Sequence, residues 1–480
     1  MTVLLRLDTI EGMLDMDRLF HPRSIAIVGA SAKPMSPVAR LFLSPLLSFG
    51  YQGRIYPVNP HATEIMGLKA YPNLKAIPEH VDYVICAVAR RLTAQVVQDS
   101  VDIGVGVVTL FTSGFSESGT EEGQLEEQRL VDIARRGGVR LIGPNCLGLH
   151  CPEAGISLEG LIPRESGKIS YLCQSGGNAQ DFILAAAERR IFLRKAVSFG
   201  NAADLNESDF LEYFAEDEGT QIVTMYVEGV KEPRRFAEAL RKAAARKPVI
   251  LLKGGRGKAA VEAAVSHTGS LAGNWLVWDS LCRQARCIQV KNLEELVDCS
   301  TALAYLKPPR GRRVGIINMG GGSSVLAADD FEDAGLEIPP YPPDVVREMT
   351  RLIPGVGLGF RNPIDSSSDL FFNPALLAES IRTVSGWDGV DVIVVCVPAV
   401  GGVKTTTETY RQAIGGVVQG SQQIDKPLAV VLRKGRLGSA EKLVYEVQDD
   451  CFRAGLPAFG SFSSAARAIG RYVSYYDRRG

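Results

Sequence analysis

The 480-residue sequence predicts an α/β protein of three successive units, each a parallel sheet covered by helices on both faces. Three observations predict it. Apolar runs of strand length alternate with helix-length amphipathic segments from end to end, the pattern of buried parallel strands joined by crossover helices. The chain is too long for one hydrophobic core. Two Pro/Gly/Arg-containing stretches, LIPRESG at 161–167 and KPPRGRR at 307–313, divide it into parts of about 150 residues. The expected domains are 1–160, 161–308 and 309–480.

The strands of the first unit are SIAIVGAS (24–31), RIYPVNP (54–60), DYVICAVA (82–89), GVVTLFTSGF (106–115) and VRLIGPN (139–145). They end in Gly, Ser, Asn and Pro, so the chemistry is expected at their carboxyl ends. Gly29-Ala30-Ser31 forms a glycine turn that lets backbone N–H groups approach a phosphate. The dinucleotide fingerprint is incomplete: AKPMSPVAR follows without the second and third glycines. The second strand runs into Asn59-Pro60 instead of an acidic residue for a ribose diol. A phosphorylated nucleotide other than a nicotinamide cofactor, or a turn that only packs, remains open. Thr112 to Phe115 and Gly143 to Gly148, the latter with Asn145, add small polar groups along the same rim.

The second and third units read as copies. KISYLCQSGGNAQDFILAAAERR matches RRVGIINMGGGSSVLAADDFEDAG, FGNAADLNESD matches FRNPIDSSSDL, and PVILLKGGRG matches PLAVVLRKGRLG. Three blocks in one order are the signature of a duplication. Ser175-Gly176-Gly177 stands between a strand and a helix, where amides and the helix dipole converge on an anion. Gly320-Gly321-Gly322-Ser323 in the third unit has the same potential, and packing alone would explain either. Only the second unit continues into SHTGSLAG, which carries His267, one of five histidines. No second ligand at metal spacing accompanies it, so no metal site is expected. QSGG is not a hydrolase elbow. An imidazole nucleophile would need a carboxylate to orient it, and Glu228 in TMYVEGV is the candidate. A loop histidine without a task is the competing reading.

Lys+Arg total 53 against 54 Asp+Glu, which gives no field for nucleic acid or an anionic membrane surface. The N-terminal residues carry acids where a signal peptide has an apolar core. No apolar run approaches the roughly 20 residues of a membrane span. Nine cysteines lie scattered, several within apolar strands, as in a reducing, cytoplasmic setting.

Together, SIAIVGAS, YPVNP, TSGF, GPNCLG, QSGG, YVEG, SHTGSLAG, INMGGGSS and NPID resemble the NDP-forming acyl-CoA synthetases, the superfamily of succinyl-CoA synthetase. The similarity is greatest to the α subunit of ADP-forming acetyl-CoA synthetases and covers about 450 residues. It implies a Rossmann-like CoA-binding domain followed by two flavodoxin-like domains. It implies that ATP phosphorylates His267, that the phosphoryl group passes to a carboxylic acid, and that CoA displaces phosphate from the acyl phosphate. Glu228 would hold the phosphohistidine, and Ser175, Gly176 and Gly177 would bind phosphate. Gly29, Ala30, Ser31, Asn59, Pro60, Val88 and Asn145 would line the CoA pocket. The chain departs from the family pattern at Met35, Pro37, Ala39 and Ala89 along the CoA cleft, and at Gly177-Asn178 in the phosphate turn. Neither an ATP-grasp lid nor a Walker sequence is found, so ATP and Mg²⁺ are expected on a separate ATP-grasp β subunit, in an αβ or α₂β₂ assembly. A CoA-binding regulatory or scaffold protein and an ATP-independent acyl-CoA transferase or lyase are the alternatives, with a nicotinamide-dependent dehydrogenase further off.

Overall fold

A computed structural model describes residues 16–33, 36–158, 160–261, 274–353, 360–366, 370–371, 373–398, 407–433 and 438–477. His267 and the rest of its SHTGSLAG segment lie outside the described residues, as does Met35. Three main sheets follow one another along the chain, and a two-stranded antiparallel ribbon, Glu64–Ile65 with Leu68–Lys69, interrupts the first. The first contains β1 (Ser24–Val28), β2 (Arg54–Val58), β3 (Tyr83–Cys86), β4 (Val107–Leu110) and β5 (Arg140–Ile142), all parallel, in the order β2-β1-β3-β4-β5.

The second sheet contains β6 (Gly148–His150), β7 (Ile169–Cys173), β8 (Leu193–Ser198), β9 (Ile222–Val227), β10 (Val249–Lys253) and β11 (Ile288–Val290), ordered β11-β10-β9-β7-β8-β6. The third contains β12 (Val314–Asn318), β13 (Ile364–Asp365), β14 (Val392–Pro398), β15 (Leu428–Arg433) and β16 (Ala458–Phe459), ordered β13-β12-β14-β15-β16. Leaving out β6, each sheet has the doubly wound 2-1-3-4-5 order of flavodoxin-like folds, so the repeated sequence blocks correspond to a repeated topology. The first two sheets belong to one compact unit that closes at Gln289. The other unit takes in Ala185–Ile191 and everything from Val290 onward.

The strands form where the sequence is apolar without alternation, because helices cover both faces. Every residue of β7 and of β10 is buried. Helix starts are set by short polar side chains. Asn206 accepts from the Ser208 amide while Asp209 returns a bond to the Asn206 amide, a capping box that opens the helix Glu207–Glu216. Pro233 stands in the first turn of α1 (Pro233–Arg246), whose buried Phe236, Ala239, Leu240, Ala243 and Ala244 recur at helical spacing.

Within the main sheets one strand departs from the all-parallel expectation. β6, directly beyond GPNCL, pairs antiparallel with β8 and occupies what would be an open edge of the second sheet. The chain leaving the first sheet thereby becomes part of the second. Among the described residues no helix is long and apolar enough to cross a membrane.

Candidate functional site

In a 2-1-3-4-5 sheet the chain winds outward from β1 in both directions, and the ends of strands one and three part to leave a crevice. In the second sheet those strands are β7 and β9, and both predicted groups meet there. The register sets Tyr226 of β9 beside Cys173 of β7, so Ser175 and Glu228 each follow by two residues on the same edge. Gln174 joins the two strand ends. Its Oε1 accepts from the amides of Glu228, at 2.6 Å, and Gly229, at 3.2 Å.

Glu228 is 4% exposed, and one carboxylate oxygen accepts from the Tyr226 hydroxyl at 2.9 Å. Burial and the facing Glu228 carboxylate push the Tyr226 phenol far above its ordinary value, so it stays a donor. From β10, the Lys253 ammonium donates to the Glu228 carbonyl at 2.7 Å and to Gly254. Burial pushes Lys253 down to about 8, against the opposing pull of Glu228. A Cβ on Gly254 would come within 2.7 Å of the Tyr226 hydroxyl, so glycine lets the three groups close up.

Ser175 precedes the helix α2, Gly176–Glu188 in chain order, which lies before α1 in sequence and starts at the crevice. Its Oγ accepts from the Asn178 amide at 3.4 Å and its carbonyl from the Ala179 amide. Among the described residues the Gly176 and Gly177 amides have no acceptor in the chain, and a Cβ on Gly177 would meet nothing within 4 Å. These amides lie at the positive end of a helix dipole, a geometry suited to phosphate.

The corresponding turn of the third sheet is closed. The Gly320 amide donates to Asp365 Oδ1 at 2.7 Å, and a Cβ on Gly321 would sit 2.9 Å from Asp365 Oδ2. The chain's own carboxylate thus occupies that helix start. In the second unit the matching aspartate, Asp204, turns away to accept from Arg135, Arg140 and the Leu141 amide. The two turns looked equivalent in sequence, and their neighbours distinguish them.

The predicted CoA-binding residues lie around the switch point of the first sheet. Gly29 ends β1 at φ +94°, and a Cβ there would stand 2.3 Å from the Ala87 carbonyl, so the strand ends approach as only glycine permits. Val88 lines the same approach, 3.2 Å from that position, and its carbonyl accepts from Thr112 Oγ1 at 2.7 Å. The Thr112 carbonyl in turn accepts from the Asn145 amide at 3.1 Å. Asn59 Nδ2 donates to the Ala30 carbonyl at 2.7 Å, and Ser31 Oγ accepts from the Lys33 amide. Pro60, exposed beyond Asn59, adds no polar contact. Asn145 has φ +59°, a conformation asparagine tolerates better than most residues. Its neighbour Leu147 packs on Gly176, whose Cβ would lie 3.0 Å from the leucine Cγ, and the Leu147 amide donates to Ser198. The rim of the first crevice therefore runs directly into the glycine turn of the second.

Residues 23–152 match the description CoA binding domain, and residues 166–303 match succinyl-CoA ligase like flavodoxin domain. The chain is 31% identical over 453 residues to the α subunit of ADP-forming acetate–CoA ligase II of Pyrococcus furiosus, covering 92% of this chain and 94% of that one. The chain belongs to the family of ADP-forming acetate–CoA ligase α subunits. With the corresponding subunit of ligase I from the same organism it shares 36% identity, over 73% of this chain and 76% of that one. An acetyl-coenzyme A synthetase 1 from Candidatus Korarchaeum cryptofilum, solved with phosphate and ADP, superimposes with a TM-score of 0.83 at 30% identity. That match covers 97% of this chain and 98% of the other.

Lys253, Gln174 and Tyr226 were missed in the sequence. Lys253 had a signal: a lysine closing an otherwise apolar strand, VILLK, must be buried beside an acceptor. Gln174 and Tyr226 had none, since both act only through strand adjacency. Among the described residues no cluster of His, Cys, Asp or Glu is arranged to hold a metal ion.

Proposed function

We propose that the chain is the α subunit of an ADP-forming acid–CoA ligase in which His267 carries a phosphoryl group between a nucleotide and a carboxylic acid. An imidazole nitrogen attacks the γ-phosphorus of ATP, and ADP leaves. A carboxylate oxygen of the acid then takes the phosphoryl group from the imidazole, forming an acyl phosphate. The CoA thiolate attacks the acyl carbon, and phosphate departs with the C–O bonding pair. Phosphorylation of the acid turns a carboxylate oxygen, a poor leaving group, into phosphate, a good one.

One observation supports this reading above the others. Glu228 and the open Ser175-Gly176-Gly177 helix start share the second crevice, and β10 ends on the same edge. Residues 258–261 beyond β10 are helical. Covalent connectivity alone keeps His267 within six residues of Val261, at most about 20 Å of extended chain. In this reading the Gly176 and Gly177 amides hold the transferred phosphate, and Glu228 stabilises the phosphoimidazole. Gly29, Ala30, Ser31, Asn59, Pro60, Val88 and Asn145 receive CoA; the glycine-dependent closeness at Gly29 is the fit expected for a bound pyrophosphate.

ATP and Mg²⁺ sit on an ATP-grasp β subunit, in an αβ or α₂β₂ assembly, and the protein works in the cytoplasm. All nine cysteines are buried thiols, which suits a reducing compartment. Incubating the chain and its ATP-grasp partner with γ-labelled ATP and Mg²⁺ should give acid-labile, base-stable labelling of the chain. Chase with acid and CoA should discharge it. Label that persists in His267→Ala rules out the carrier role.

A further inference from the structure

Immediately beyond Glu228 the chain borders a groove that none of the assignments above uses. It lies between α1 and α3 (Trp275–Ala285) and encloses about 780 Å³. Phe236 and Trp278, both buried, form its floor with ring centroids 5.5 Å apart. Its walls include Leu276 and Val277, which stand 69% and 66% exposed in the first turn of α3. Two large aliphatic side chains displayed together beside an aromatic floor are an unsatisfied apolar surface.

The charge on the rim has one sign. Lys231 and Arg241 line the groove, and no Asp or Glu does. Among the described residues neither cation takes part in an ion pair. An apolar floor with a cationic rim complements a molecule with a hydrocarbon body and one negative end. That volume lies within the roughly 300–1,000 Å³ of small-molecule sites, far more than a two-carbon acid fills.

The groove is tied to the crevice by two links. Val230 and Lys231 follow Glu228 by two and three residues on the same loop. The Lys253 ammonium, bonded to the Glu228 carbonyl, also lies 5.2 Å from the centre of the Trp278 ring. A change at the floor therefore reaches Glu228 through one side chain.

We propose that this groove binds an apolar monocarboxylate, with its hydrocarbon on Phe236, Trp278, Leu276 and Val277 and its carboxylate between Lys231 and Arg241. Resting on the ligase reading, this ligand is the acid to be activated, held three residues from Glu228. The test is titration of the full-length chain with 3-phenylpropionate, its uncharged amide, and acetate, followed by Trp278 fluorescence and calorimetry. Saturable binding of the carboxylate is expected, at least tenfold tighter than that of the amide, with no competition from millimolar acetate.

Leu276→Asp and Arg241→Gln, both at exposed positions, should each weaken it at least tenfold. Failure to saturate, equal affinity for the amide, or unchanged affinity in both variants overturns the proposal. Nucleotide-dependent labelling of the chain, measured on the same preparations, separates the two ideas. Labelling without carboxylate binding leaves the ligase reading standing and removes the groove. Carboxylate binding with the expected variant effects but no labelling keeps the groove and removes the ligase reading.

Discussion

Gln174, Tyr226 and Lys253 fix the backbone and the carboxylate of Glu228, and the lack of a side chain at Gly254 leaves them room. Glu228→Gln keeps the shape and the Tyr226 bond but removes the negative charge that would face a phosphoimidazole. Phosphoryl labelling from ATP should fall roughly 10- to 100-fold, as for loss of one preorganised electrostatic partner, while the melting temperature changes little. Glu207 offers a purely thermodynamic test. Burial pushes its carboxyl up to about 7 from 4.5. Between those values the native state binds the proton and the unfolded chain does not, so Glu207 makes stability fall as pH rises from 4.5 to 7. The destabilisation is complete above 7 and absent below 4.5. Urea unfolding of Glu207→Gln against the parent should show the variant gaining relative stability across that interval and holding the gain above it. Glu228 was legible from its place at a strand end in YVEG. The groups that hold it were not, because a hydrogen bond across 54 residues leaves no local pattern.

Strand-turn-helix elements were readable in all three units, since apolar runs, glycine turns and small-residue helices are local features. What each turn can do was not. At Gly29 the positive φ and the approach of Ala87 leave no room for a methyl group. Gly29→Ala should cost more than about 1 kcal/mol in stability and weaken CoA binding at least tenfold by calorimetry. At the third-sheet turn, Asp365 caps the helix start through Gly320. Asp365→Asn should lose about 1 kcal/mol, the ordinary worth of a charged group at a helix N-terminus, read as a lowered urea midpoint. The matching aspartate in the second unit serves a different purpose, so two similar sequence blocks yield one helix start capped by a carboxylate and one without it.

At the scale of the molecule, the first two sheets are joined within one compact unit by Asp204. Its carboxylate, with no exposed side-chain surface, accepts from Arg135 and from Arg140, at 2.9 and 2.8 Å. It also accepts from the Leu141 amide, within β5. Asp204→Asn leaves both guanidinium groups without their counter-charge and should destabilise the chain by about 3 kcal/mol, the lower end for a broken buried pair because the arginines are partly exposed. Because Asn145 and Leu147 lie at the same junction, CoA-dependent discharge of labelled protein should slow as well, which a chase assay reads.

By itself the sequence determined the succession of strands and helices, the duplication, the family, and the places of the glycine turns. All of these follow from hydrophobic period, backbone freedom at glycine, and motifs contiguous in the chain. Tertiary structure alone decided that β7 and β9 are neighbours, that Ser175 therefore faces Glu228, that Lys253 lies beneath them, and that Asp365 closes the third turn. Strand order is a long-range choice made by the packing of the whole sheet, so nothing in a local stretch of residues encodes which distant side chain will arrive beside it.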